Sequence, residues 1–175
     1  TVTKIKEIPE NAGKKVPAGG NAGGGIEGYY DRILEAEDGE YDALLVEVCD
    51  MTVGFCSYCF DFDLIALTNM GNDHMNVHGS MEGYKESLKG FFKGKTIFIN
   101  ENQEYMDEFK EVAESTIVCD ETKYDLNLFG KFNKLNALNH FLQITSENIA
   151  TPKKMERGKL IKMPMHELLT RATGF

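Results

Sequence analysis

No run in this chain approaches the ~20 consecutive apolar residues that a membrane-spanning helix needs, so a membrane span is excluded as an organising element. Positive charge is also scarce. Nineteen Lys and Arg face 28 Asp and Glu, for a net charge of -9. A nucleic-acid partner needs a basic surface, and this balance argues against one. It leaves a nucleotide open, because a few local cations and backbone N–H groups suffice to hold a phosphate. Cysteine is sparse: Cys49, Cys56, Cys59 and Cys119. A structural zinc site usually uses two C-x-x-C pairs, and here only Cys56 and Cys59 form one. The plain alternative is a pair of small, half-buried apolar residues in a loop. The first residues carry no signal-peptide pattern, so reduced thiols in a cytoplasm are expected. There is no internal repeat, and the only low-complexity tract is a short glycine stretch. What remains is ordinary for a folded domain, with 42% hydrophobic and 27% charged residues over 175 positions.

Periodicity divides the chain into alternating elements. Val2, Ile5 and Ile8 fall at helical spacing and predict a helix that stops at Asn11-Ala12-Gly13. A short strand around Val16 leads into the glycine stretch, followed by a helix over Ile26–Glu35. The near-continuous apolar run Tyr41–Val48 has the pattern of a buried parallel strand. Cys49–Phe62 is expected as a loop with short helical possibilities. Strands are predicted at Leu64–Thr68, Thr96–Asn100 and Thr116–Cys119. Helices are predicted at Ser80–Phe92, Glu104–Glu114 and Gly130–Ile144. Strand–helix alternation of this kind implies an α/β fold with a mostly parallel sheet flanked by helices. The tail from Ser146 is basic and methionine-rich. The expected division is a domain over 1–150 and a linker over 151–175.

In an open parallel sheet, ligands gather at the carboxyl ends of strands. Polar residues collect there in this sequence. Glu47 closes one strand; Thr68, Asn69, Asp73 and His74 follow the next. A carboxylate and an imidazole suit a divalent cation such as Mg2+ when phosphates supply further oxygens. Taken singly, a glutamate at a strand end is more often solvated, and a histidine in a loop more often makes ordinary hydrogen bonds. The stretch GGNAGGG (Gly19–Gly25) precedes a helix and can present N–H groups to an anion, although a flexible turn has the same composition. It is not a Walker loop, because no Gly-Lys-Ser/Thr follows. Asn133 and Asn136 lie three apart at the start of a helix. That spacing places both amides on one face, to read a base or simply to cap the helix.

These segments together resemble the central ATP-binding domain of the Mur ligase family. "TNMGNDHMNVHGSMEGY" is similar to the family pattern TN-x-x-x-DH-x-x-x-HG-x-M-x-x-Y. "LLVEVCD" resembles its strand ending in a metal-binding glutamate, "GGNAG" its glycine-asparagine loop, and "GKFNKLNALNH" its G-x-x-N-x-x-N-A motif. The resemblance runs from about Thr1 to Arg157. It implies ATP and Mg2+ as cofactors, with His74 and Glu47 as metal ligands and Asp73 beside His74. It further implies Asn21 near the phosphates and acyl substrate, and Asn133 and Asn136 at the adenine. The implied reaction joins an amino acid to a cell-wall peptide precursor in the cytoplasm. A substrate carboxylate attacks the γ-phosphate of ATP, and an amine displaces phosphate from the acyl phosphate formed.

The sequence departs from the family in places. The loop G-x-x-G-K-[ST] does not occur, and the resemblance places it before Thr1. The tail TPKKMERGKLIKM is similar to the segment leading into the family's C-terminal domain, which the resemblance places after Phe175. The chain therefore reads as part of a ligase, inactive alone, whose partner would be the remainder of the enzyme or a second chain. Many members carry a carbamylated lysine after the histidine motif. Lys89 is nearest but sits one position late relative to Tyr84, a rotation of ~100° about the helix. Other readings stay open: a non-catalytic module, a ligase of a cofactor pathway, or a phosphohydrolase built on Asp73, His74 and His78.

Overall fold

The computed structural model describes residues 2–11, 13–23 and 26–119. They divide into two compact units, Val2–Asp61 and a second that starts at Phe62. All strand pairs are parallel and helices flank them, as the alternation predicts.

The first unit opens with helix α1, Val2–Asn11. Gly13 follows in the left-handed region at φ 77°, and its N–H bonds to the Glu10 carbonyl while Lys14 N–H reaches Pro9. This is the glycine stop expected for the helix. Strand β1 is Ala18–Gly20, two residues later than the apolar Val16 suggests. Val16 is buried, but the ladder begins after Pro17, which has no N–H to donate and whose carbonyl accepts Leu45 N–H. A 3-10 turn, Asn21–Gly23, leads on. Helix α2 runs Ile26–Asp38, three residues past the expected end. Strand β2 is only Leu45–Glu47, the last part of the apolar run. The earlier residues are held off the ladder by Asp42, whose carboxylate accepts Lys15 N–H at 2.8 Å and Lys14 Nζ at 3.1 Å. β1 and β2 pair in the register Ala18–Leu45, Gly19–Val46, Gly20–Glu47.

The segment expected as a loop is largely helical. A 3-10 turn over Asp50–Thr52 runs into α3, Val53–Cys59. Val53, Phe55, Cys56 and Cys59 face inward, a helical spacing hidden by the glycine and polar residues between them. Cys56 and Cys59 are thus core residues, fully buried, and not half-buried loop residues. Burial pushes their thiols up to about 12 and about 11. Phe55 meets Tyr29 edge-on with ring centroids 5.8 Å apart.

The second unit carries β3 (Leu64–Ala66), α4 (Met75–His78), α5 (Met81–Phe92), β4 (Thr96–Asn100), α6 (Met106–Val112) and β5 (Ser115–Cys119). The strand order is β3-β4-β5. Ile97, Phe98 and Ile99 of the middle strand are completely buried, as expected when helices cover both faces. Phe92 of α5 and Phe109 of α6 pack edge-on at 5.2 Å. Lys85 ties the same two helices together. Its ammonium lies 2.9 Å from Glu82 and 2.9 Å from Glu108, above the Tyr105 ring. The helix predicted over Gly130–Ile144 and the linker 151–175 lie outside the described residues.

Candidate functional site

In the first unit the carboxyl end of the β1–β2 pair brings two expected residues together. Gly20 is registered opposite Glu47, and Asn21 begins the turn that follows. Gly20 has φ 92°. A Cβ at that position would stand 2.5 Å from the Glu47 carbonyl oxygen and 3.0 Å from Tyr29. Only glycine permits this approach, so the glycine stretch serves to place the turn against the end of β2. Asn21 is exposed and Glu47 half-buried.

Beyond Glu47, the chain is fixed by a closed ring of hydrogen bonds. Cys49 N–H donates to the Tyr29 hydroxyl at 3.1 Å, and Thr52 Oγ1 donates to the Cys49 carbonyl at 2.8 Å. The Tyr29–Thr52 bond of 2.8 Å must therefore run from the tyrosine hydroxyl to Thr52. Burial raises the pKa of Tyr29, which keeps that proton in place. Arg32 supports the other strand by donating to the Ala18 carbonyl at 2.9 Å. Neither Tyr29 nor Arg32 stood out in the sequence. Both sit on α2 amid ordinary helix spacing, and only the folded partner shows what they hold.

In the second unit the segment after β3 brings Asp73 and His74 together. The Asp73 carboxylate accepts His74 N–H at 2.8 Å and lies 3.6 Å from His74 Nε2. His74 is left-handed, with φ 48°. Asp73 holds its neighbour's backbone in that uncommon conformation, so the pair acts as one turn-forming unit. Four residues on, His78 stacks on the Tyr84 ring at 4.4 Å and 11°. Gly83 makes room for this: a Cβ there would strike the His78 carbonyl. Ser80 caps α5 by accepting Gly83 N–H at 3.0 Å. The motif's His78, Gly79, Ser80, Gly83 and Tyr84 thus fasten the histidine segment to α5.

Lys89 is held elsewhere. Its Nζ lies 3.0 Å from Glu86 and 3.7 Å from Glu108. Glu86 first, then the other nearby carboxylate, raises its pKa. A carbamate forms on a neutral amine, so this setting favours an ammonium instead. Asn133 and Asn136 lie outside the described residues.

Glu47 offers a carboxylate at the end of β2 in the first unit, and His74 an imidazole ahead of α4 in the second; each is half-buried. Among the described residues no helix is long and apolar enough to cross a membrane.

The chain is 26% identical over 121 residues to UDP-N-acetylmuramoylalanine--D-glutamate ligase of Bifidobacterium adolescentis, covering 68% of this chain and 24% of that protein. The chain therefore spans about a quarter of the length of this curated relative. No solved structure matches it. The family model for the Mur ligase middle domain matches residues 26–127, more than half of the chain. With parallel strands and a polar carboxyl edge already in place, that match identifies the chain as a member of the Mur ligase family.

Proposed function

We propose that this chain supplies the nucleotide- and metal-binding part of an ATP-dependent ligase that joins an amino acid to the carboxylate of a cell-wall peptide precursor. The observation that carries the reading is the placement of Asn21 and Glu47 at one carboxyl edge of a parallel strand pair in a chain of this family. Asn21 has an amide N–H that can donate to a phosphate or acyl oxygen, and it stands exposed on a glycine-built turn. Glu47 and His74 are each proposed as ligands of Mg2+, which when bound supplies charge neutralisation for phosphoryl transfer. Asp73 orients His74 through the backbone and the ring. Asn133 and Asn136 are proposed at the adenine. Lys89, held by two carboxylates, is the weakest of the proposed catalytic positions. The D-glutamate ligase among the relatives makes D-glutamate the first amine to test.

The test uses two samples. The 175-residue chain is titrated with Mn2+ as a magnesium stand-in, followed by electron paramagnetic resonance. Glu47→Gln and His74→Ala should each weaken binding at least about tenfold, the loss usual even for residues one shell out from a metal. The full-length ligase carrying this segment is then assayed for ADP release that requires both amine and precursor. The 175-residue chain alone should release none. Wild-type Mn2+ affinity in both variants, with unimpaired ADP release, refutes the reading.

A further inference from the structure

The strand Thr96–Asn100 is apolar until its last residue. Asn100 closes β4, the middle strand, and is buried at 7% exposure beside Ile97, Phe98 and Ile99. A buried amide at this place is costly, since it sheds water that an aliphatic side chain would never have held, and asparagine is a poor strand former. Something must repay its retention. Its Nδ2 donates to the Thr68 carbonyl at 3.3 Å. Thr68 lies just beyond β3 and opens the segment that carries Asp73 and His74. The Thr68 carbonyl can only accept, so the amide nitrogen must face it and Oδ1 must point away. That oxygen is buried and has no hydrogen-bond partner among the described residues.

We propose that Asn100 is a positioning residue for the His74 segment. Its amide N–H tethers the exit of β3 at the carboxyl edge of the sheet. Its Oδ1 accepts a hydrogen bond from a donor that occupies the site in the working protein. An acceptor cannot face a phosphate oxygen, which is also an acceptor. The donor is small, because the atom is sealed from bulk solvent, and a bound water satisfies both conditions. The parallel with Tyr29 is close: in each unit a buried polar side chain pins the chain just after a strand whose exit carries a proposed ligand. The role in ligand placement rests on the proposed function; the tether to Thr68 does not.

Hydrogen exchange on the 175-residue chain separates the two. The amides of Val77, His78 and Gly79 bond to the carbonyls of His74 and Met75 and report on the order of this segment. Asn100→Ala and Asn100→Leu both remove the donor, and Asn100→Leu roughly keeps the volume. Each should speed exchange at those amides about tenfold, the size of one hydrogen bond. Exchange at Ile97–Ile99 should stay within about twofold, as expected when opening is local. Mn2+ affinity should fall in the same variants. Unchanged exchange at 74–79 in both variants overturns the inference. So does a uniform rise across all three strands, which marks a residue that merely fills the core. A local rise in a chain whose wild type binds no Mn2+ supports the tether and counts against the metal reading alone.

Discussion

Replacing Gly20 by alanine tests how tightly the glycine turn is set against the end of β2. Two costs arise. At φ 92° an L side chain meets backbone strain of about 1–2 kcal/mol. The new methyl would also lie 2.5 Å from the Glu47 carbonyl oxygen, 3.0 Å from its nitrogen and 3.0 Å from the Tyr29 ring. Two of these atoms belong to a paired strand, and the third to a ring that is completely buried and held by hydrogen bonds. Forcing a methyl into such a place typically costs a further ~1–3 kcal/mol. The sum is about 2–5 kcal/mol, which lowers the melting temperature by roughly 4–20 °C at this chain length. Thermal unfolding followed by circular dichroism reads it directly. Gly13→Ala provides the control, because Gly13 has φ 77° with nothing within 4 Å of an added Cβ. It should cost the strain alone, about 1–2 kcal/mol. If the two variants melt together, the contact between Gly20 and Glu47 carries no energy and the account of the turn is wrong.

Further outcomes follow from the same structure. Cys56 and Cys59, with thiols raised to about 12 and about 11 by burial, should resist iodoacetamide at pH 8 in the native chain and react after unfolding; peptide mass spectrometry of the labelled chain decides. The Asp42 carboxyl is held below its ordinary value, first by Lys15 N–H and then by Lys14. A lowered folded pKa gives stability that is present above the unfolded value of about 4 and lost as pH falls through the folded value. Asp42→Asn should therefore lower the urea midpoint at pH 7, with the gap closing as the pH drops below about 4. Gly90 is exposed inside α5 with open space around it. Gly90→Ala should stabilise the chain by about 0.5–1 kcal/mol, and a lower urea midpoint would count against the described helix.

Much of the architecture was legible in the amino-acid order. TIFIN reads as a buried strand and forms one with the expected bounds, because five residues of one character leave little else for that stretch to do. Helix α5 was equally plain, with Ser80 ahead of an amphipathic run. The region over 49–62 was not. A seven-residue helix holds too few turns for its period to show, and Gly54 and Ser57 dilute the signal. Strand β1 was misplaced by two residues, since parallel pairing with β2 decides which of Val16 to Gly20 joins the ladder. For the candidate site, position after a strand singled out Glu47, Asp73 and His74, and the family resemblance added Asn21, all residues whose chemistry is visible in the letter itself. Tyr29, Arg32 and Asn100 act through a partner distant in sequence, and their type alone carries no mark of that partner.

The stacked rings of His78 and Tyr84 have a practical consequence. An aromatic face held nearly parallel above an imidazole shifts the magnetic environment of the imidazole protons, so the His78 ring resonances should stand apart from those of the other histidines. Because the stack fastens the histidine segment to α5, any loosening of that segment must first slide the rings. The chain thus carries its own spectroscopic gauge of whether the segment is docked, readable by nuclear magnetic resonance without a label.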